Sequence, residues 1–341
     1  MATIKEVAKQ ARVSVGTASN VISGTAPESS ARAARVLAAA KELDYHPNEI
    51  ARSLKSKQTK MLGLVLPDIT NPFFSDIIRG AENAALERGY LLVTANSDEQ
   101  VEREKRFVAA LRSHRADGIL LAAAASKSEE HLESVVAAGV PIVCLDRAAP
   151  GIAVDAVLVD NVRGTQECVR HLIRLGHKEI AIITGSLALQ IGRERLEGYR
   201  AALKEAGIRY SADLILEGDF REEAGYRLGK QLLLGQKRPS AIFTSNGVMM
   251  LGLLLALDEL GVACPDDIAL ATFDDLPFAR SFHPRLTVVA QPGNEMGYRG
   301  ANVLMDRVEG KLIGDPVTLR LAPELKIRES SKFSLDGRRR A

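Results

Sequence analysis

The residues of this chain with the most chemistry to offer fall just past the ends of short apolar runs. Phe73 and Phe74 follow the run Leu62–Leu66, behind Asn71-Pro72. Their rings can stack on the flat face of a ligand, with one expected in a pocket and one partly in the core. Asp274 follows Ile268–Thr272 and can accept from two hydroxyls, while Asn246 follows Ala241–Thr244 and can donate as well as accept. Phe220, closing Glu217-Gly218-Asp219-Phe220, offers a second aromatic wall. Arg195 and its neighbour Arg193 carry planar donor forks that suit vicinal hydroxyls or a carboxylate. Gln190, Asp146 and Gln291 are weaker members of the set. This is the chemistry of reversible recognition. The sequence has no Walker-type glycine loop, nucleophile-elbow serine, His-Glu-x-x-His zinc motif or Cys-x-x-Cys pair. His171 and His177 are split by a helix end and read as surface or helix C-terminal residues, so neither a metal nor a cofactor is expected.

Positioning such residues takes a repeated frame. Apolar runs each precede an amphipathic helix: Leu62–Leu66 then Phe73–Arg88, Tyr90–Ala95 then Glu99–His114, Gly118–Leu121 then Ser128–Ala138, with Val140–Leu145 closing a first group. A second group begins near Val157. Its helices are expected at 161–175, 193–206, 221–234 and 247–260, between runs at 180–183, 214–216, 241–244 and 268–272. The tail adds strands at 286–290, 317–321 and 325–328 and a helix at 293–309. This alternation predicts parallel sheets with helices on both faces, in two similar Rossmann-like α/β lobes. A ligand then belongs in the cleft at the carboxyl ends of the strands.

The composition agrees. A chain of 341 residues is long for one domain, and 46% hydrophobic content gives it a large core, aliphatic because tryptophan is absent. No window approaches twenty uninterrupted apolar residues, and the charged start MATIKEVAKQ is no signal peptide. Cys144, Cys168 and Cys264 are odd in number and far apart, as suits a reducing cytoplasm.

Residues 4–23 read as two short helices. Ile4, Val7 and Ala8 share a face, with Thr3 as N-cap and Glu6 completing a capping box. Ser14 caps Val15–Ile22, whose inner face is Ala18, Val21 and Ile22; a third helix around 30–43 supplies Val36, Leu37, Ala40 and Leu43. Helix, tight turn, helix and supporting helix make the helix-turn-helix plan, in which the second helix enters the DNA major groove. Residues 1–60 carry ten Lys/Arg against five Asp/Glu in a chain of net charge +2, so a basic head is set to meet a polyanion.

The segments TIKEVAKQARVSVGTASNVISG and AAAKELDYHPNEIARSLKSKQTKMLGLVLPDITNPFF resemble the lactose/galactose-repressor family of bacterial transcriptional regulators. The head is purine-repressor-like and the body is similar to periplasmic sugar-binding proteins. The resemblance implies an all-α helix-turn-helix head over 1–45 and a hinge helix and linker over 46–60. It implies a first lobe of 61–161 with 292–321 and a second of 162–291 with 322–335, the chain crossing between them three times. It turns Val15, Gly16 and Asn20 toward base edges. Asn20 can pair bidentately with adenine, Val15 offers only apolar contact, and Gly16 lets the backbone come close. Ser14, Thr17 and Ser19 suit phosphates, with Thr3 and Tyr45 also on the DNA side. In the hinge, Asn48 caps a helix that orders only beside its twin on DNA. Leu54 is then a minor-groove wedge, Ala51 allows close helix approach, and Arg52 and Lys55 reach groove edges or phosphates.

The family often has Thr-Arg early in the third helix and Asp after the Asn at position 246, where this chain has Arg32-Ala33 and Gly247. Arg195 matches the family's ligand-clamping arginine. The implied function is a repressor without enzymatic activity, a cytoplasmic homodimer on a palindromic double-stranded DNA operator. A small-molecule effector, a sugar or sugar acid, controls it, and no membrane is involved. Past Arg328 the tail lacks heptad repeats, which argues for a dimer over a tetramer. Two other functions fit these features. One is a cytoplasmic sugar-binding or sugar-modifying protein whose basic head only localises it, and the other is a global catabolite regulator controlled by a phosphorylated carrier protein.

DNA binding by such a head should fall steeply with salt. Neutralising about six to ten phosphates loses roughly three to five decades of affinity between about 50 and 200 mM salt. A flat response in a fluorescence titration would refute the electrostatic reading.

Overall fold

The computed structural model describes residues 2–23, 30–46, 58–124, 130–149 and 151–332. The expected hinge residues Asn48, Ala51, Arg52, Leu54 and Lys55 lie outside the described residues. The chain divides into two compact units, Met1–Thr59 and Lys60–Ala341, each described here by itself.

The first unit holds α1 (Ile4–Ala11), α2 (Val15–Ile22) and α3 (Ala31–Glu42). Thr3 closes a capping box: the Glu6 N–H donates to Thr3 Oγ1 (3.4 Å) and the Thr3 N–H to Glu6 Oε2 (2.7 Å). Ser14 and Ser30 cap the next two helices by accepting from the Thr17 and Ala33 N–H groups, each at 3.1 Å. Helices this short are unstable alone in water. They meet in a core of Val7, Ala8, Ala11, Ala18, Val21, Ala33, Val36 and Ala39, mostly small side chains that let the axes approach. Leu37, expected inside, is 43% exposed. It lies about 100° round α3 from Val36, off the face that Ala33, Val36 and Ala39 bury.

The second unit is built on two six-stranded sheets. Strands β1 (Met61–Leu66), β2 (Leu91–Asn96), β3 (Gly118–Leu121), β4 (Ile142–Leu145), β5 (Asp155–Val159) and β11 (Thr318–Leu321) form the first, in the order β11-β5-β4-β3-β1-β2, all parallel. Strands β6 (Ile180–Thr184), β7 (Ile215–Glu217), β8 (Ala241–Thr244), β9 (Ala269–Phe273), β10 (Thr287–Ala290) and β12 (Glu324–Lys326) form the second, in the order β12-β10-β9-β8-β6-β7. Helices α4 (Pro72–Glu87) and α12 (Gly293–Val308) pack on one face of the first sheet, α5 (Val101–Ser113) and α6 (Glu130–Ala137) on the other. In the second lobe α9 (Glu222–Leu234) and α10 (Gly247–Glu259) cover one face, and α7 (Asn161–Arg174) and α8 (Gln190–Glu205) the other; a short α11 (Phe278–Ser281) completes the unit. Among the described residues no helix is long and apolar enough to cross a membrane.

Three features depart from the sequence pattern. β5 does not open a second group near Val157 but pairs with β4, so the first sheet continues. Among the described residues no helix separates β4 from β5, which breaks the alternation without changing the sheet. β12 runs antiparallel to β10, against an all-parallel expectation. The chain enters the second sheet for β12 straight from the carboxyl end of β11, so it runs away from the edge toward which β10 runs. His171 lies in the last turn of α7, as one of the two readings has it, half-buried with Nε2 2.9 Å from Ser331 Oγ, whereas His177 is fully buried with Nδ1 3.0 Å from Ser240 Oγ and is no surface residue.

Helices α4 and α12 run side by side through glycines. A Cβ at Gly80 would collide with the Asn294 carbonyl, and one at Gly297 with that of Ile77. Gly80→Val should therefore destabilise the body by roughly 1–3 kcal/mol through overpacking, read from the urea midpoint at constant m-value. An unchanged midpoint would show that the pair separates at no cost.

Candidate functional site

In the head, Val15, Gly16, Ser19 and Asn20 share the face of α2 turned away from Ala18 and Val21. Val15 is 44% exposed, Gly16 and Asn20 are exposed, and Thr17 and Ser19 are half-buried. An exposed valine on a helix start costs hydration unless something covers it. The Ser14 hydroxyl lies 2.9 Å from that of Thr17, beside the free N–H groups that open α2, a geometry suited to a phosphate. The Thr3 hydroxyl is taken by Glu6 (3.0 Å), and Tyr45 is half-buried against the head core.

In the body, one cleft lies at the carboxyl ends of both sheets. It is lined by Asp68, Asn71, Phe73, Phe74, Glu99, Asp146 and Arg147 from the first lobe, by Ile191, Arg195, Asp219, Phe220, Arg221, Asn246 and Asp274 from the second, and by Gln291 at a crossing. Phe73 and Phe74 both reach it, ring centroids 5.2 Å apart and tilted at 56°, and both are nearly buried. The Asn71 side chain caps α4 by accepting from the Phe73 N–H, which fixes this aromatic corner. The free interior is only ≈ 30 Å³, far below the roughly 300 Å³ of an ordinary ligand pocket, so admitting a ligand of that class requires the walls to part. Contacts between the walls include Arg221 Nη2 to Asp98 Oδ1 (3.2 Å), the Arg147 guanidinium 5.9 Å from the Phe220 ring centre, and Leu276, which packs into the core of the first lobe.

The charged floor is fixed from several elements. Arg195 is 2% exposed, stacks 3.8 Å over the Phe273 ring, and donates to Asn161 Oδ1 (2.9 Å) and the Ser245 carbonyl (2.5 Å). Burial pulls its pKa down, and Asp274 and Asp146 only partly offset this. Asp274 accepts from Gln291 Nε2 (2.6 Å) and from the Gly247 N–H (3.3 Å); burial still raises its carboxyl. Asn246 caps α10 by accepting from the Met249 N–H and donates to the Phe220 carbonyl, each at 2.9 Å. Arg147 is held bidentately by Glu99 at 2.7 and 2.8 Å. Its neighbour Asp146 is fully desolvated, and burial pushes its carboxyl up to about 6 against the opposing pull of Arg147 and Arg195. Asp146 Oδ1, Arg147 Nε and Gln291 Oε1 have no hydrogen-bond partner.

The structure does not bring Gln190 and Arg193 to this cleft. Helix α8 begins at Gln190, three residues earlier than expected, so Ile191 and Arg195 share the inward face. Gln190 donates to Glu194 Oε1 (2.6 Å), and Arg193 donates to the Leu187 and Ala188 carbonyls (2.8 Å each). Sequence reasoning missed Asp68, Glu99, Arg147, Asn71, Ile191, Asp219 and Arg221 as lining residues. The strand-end rule, applied to β1, β2 and β4, reaches the first three. In the cleft, Glu99, Asp146, Phe220 and Asp274 have φ of 57°, 63°, 68° and 75°, the left-handed region that is uncommon for non-glycine residues.

Raising the Asp146 carboxyl from 3.8 to about 6 stores free energy in the unliganded fold. The folded state binds this proton more tightly than the unfolded state, so the contribution is favourable near pH 4 and is lost as pH rises toward 6. Asp146→Asn should stabilise the free protein at pH 7 by on the order of 2–3 kcal/mol, with the gain vanishing near pH 4. Denaturation at both pH values checks this, and a pH-independent difference would contradict it.

Comparison with known proteins places these two sites in context. Residues 3–48 match the model for bacterial regulatory proteins of the lacI family, and residues 169–331 the periplasmic binding protein-like domain. The chain is 38% identical over 333 residues to the HTH-type transcriptional repressor PurR of Proteus mirabilis, covering 97% of each. It is similar to the transcriptional regulator CelR in its cellobiose complex, with TM-score 0.74, 33% identity and coverage of 97% of this chain and 100% of that one. It is also similar to the lac repressor dimer bound to operator and the anti-inducer ONPF, with TM-score 0.85, 27% identity and coverage of 97% and 99%.

Proposed function

The chain belongs to the lacI family of bacterial regulatory proteins, and from that premise we propose the ligand it senses and the residues it uses. It is a transcriptional repressor with a helix-turn-helix head and an effector-binding body, and it is not an enzyme. Members of the family bind operator DNA as dimers under small-molecule control. In our reading the homodimer works in the cytoplasm, with 1–45 as head, 46–60 as hinge, and lobes divided at the three crossings. Val15, Gly16 and Asn20 read base edges. Ser14, Thr17 and Ser19 meet phosphates, with Thr3 and Tyr45 flanking them. Asn48, Ala51, Arg52, Leu54 and Lys55 form the hinge contact.

The effector is a small polyhydroxylated molecule, a sugar or sugar acid. The observation that carries this is the set of polar atoms in the cleft without a hydrogen bond: two acceptors, Asp146 Oδ1 and Gln291 Oε1, and one donor, Arg147 Nε, which has only a 3.5 Å ion-pair contact to Asp146 Oδ2. Hydroxyl groups can satisfy both kinds, and Phe73, Phe74 and Phe220 supply walls for the C–H face of a ring. Five carboxylates line the cleft against three guanidinium groups, two of which Glu99 and Asp98 already engage. A neutral sugar is therefore favoured over a sugar acid, and cellobiose in the CelR complex is a neutral sugar.

A thermal-shift screen of sugars and sugar acids, followed by operator titrations with each hit, tests the reading. Asp274→Ala should abolish the effect of a hit on operator affinity while leaving operator affinity without it within about threefold. By linkage a hit that weakens operator binding must bind the DNA complex more weakly by the same factor, about 1–3 kcal/mol. Retained response to the hit in Asp274→Ala would remove this residue from the effector site.

A further inference from the structure

Helix α12 spans the first lobe from the cleft to the amino ends of the strands. It starts one residue after Pro292, and Gln291 before it hydrogen-bonds Asp274 in the cleft. Sixteen residues later, about 24 Å along the axis, it ends at Glu309. There Glu309 gathers four partners. Arg88 Nη2 lies at 2.5 Å, Lys311 Nζ at 2.8 Å, the Tyr90 hydroxyl at 3.3 Å and Lys60 Nζ at 3.4 Å. Arg88 also binds Asp306 at 2.8 Å, one turn back along the helix. Lys311, Arg88 and Lys60 together hold the Glu309 carboxyl down at about 2.

Lys60 is the first residue of the body, the point through which the segment from the head enters it. Every part of it is fixed. Its N–H donates to Asp117 Oδ2 (2.8 Å), its carbonyl accepts from the Leu91 N–H (2.8 Å), and its ammonium stands 4.0 Å over the Tyr90 ring. Its φ of 55° lies in the left-handed region, uncommon for a non-glycine residue. Close glycine contacts between Asn294, Gly297 and Tyr298 of α12 and Ile77, Gly80 and Ala81 of α4 seat the first half of α12 tightly.

We infer that Glu309 is a positioning residue for regulation: by holding Lys60 it makes the entry point of the head segment move as one piece with α12, and hence with Gln291 at the effector cleft. This inference rests on the reading of the cleft as the effector site. The test is a double-mutant cycle on the full-length protein. The probe is an operator duplex that the wild-type protein selects from a random library. Gln291→Ala perturbs the cleft end, Glu309→Gln perturbs the far end isosterically, and operator Kd is measured for each and for the pair. Sites about 24 Å apart with no shared partner are expected to act independently. A strut predicts that the pair departs from the product of the single effects by at least about fivefold. Lys60→Met, which keeps the stem over Tyr90, should give the same departure when combined with Gln291→Ala. A merely structural Glu309 would lower the melting temperature and leave the effects multiplicative. Multiplicative effects within about twofold, including no effect from either change, overturn the inference. Failure of the wild-type protein to enrich any duplex would instead overturn the regulatory reading itself, and the strut with it.

Discussion

The body is organised around one desolvated cation. Arg195 has lost nearly all contact with water, and a buried guanidinium is tolerable only if other groups replace that hydration. The replacements come from separate parts of the chain: Asn161 at the first crossing, the Ser245 carbonyl after β8, and the Phe273 ring on β9. The carboxylates of Asp274 and Asp146 bring the balancing charge from opposite lobes. Satisfying Arg195 therefore places the strand ends of the second lobe and brings the first lobe to meet them. Of the groups that keep this cation in place, Asp274 and Asp146 also line the cleft, so a ligand there meets its balancing charge.

The same balance explains why the cleft is electrostatically strained. Arg147 is neutralised by Glu99, which leaves Asp146 with only a longer contact of 3.5 Å to the Arg147 Nε. Its second oxygen has no partner. A site finished for stability would have satisfied that atom or replaced the acid. Unsatisfied acceptors of this kind are a reservoir that a hydroxylated ligand can draw on, since its donors meet atoms whose desolvation has already occurred.

Much of this was legible in the sequence, and the rest failed for identifiable reasons. The alternation of apolar runs and amphipathic helices gave nearly every strand and helix, and the rule of strand ends led to Phe73, Phe74, Phe220, Asn246, Asp274 and Gln291. What it could not supply was the start of α8: placed at Arg193 instead of Gln190, it left Ile191 outside the helix, and Arg193, offered as a neighbour to replace or help Arg195, lies about 200° round the helix from it. β5 was assigned to the wrong group because the helix that should mark a change of strand is missing before it, not after it. Leu37 and His177 erred in opposite directions, since an apolar type does not guarantee burial nor a polar type exposure; the Ser240 hydroxyl is what makes a buried His177 affordable, and no local pattern announces it.

The three crossings also govern how the chain can be made. The first lobe lacks α12 and β11 until residue 321 has been synthesised, by which time all of the second sheet except β12 exists. At the ribosome the order of appearance and the order of completion are therefore inverted. The segment 61–159 emerges early with the face that α12 will cover still open to water, and it must wait through the synthesis of most of its partner. A nascent chain of this architecture presents apolar surface for longer than its size alone would suggest, and its yield in a cell will depend on how well that interval is guarded.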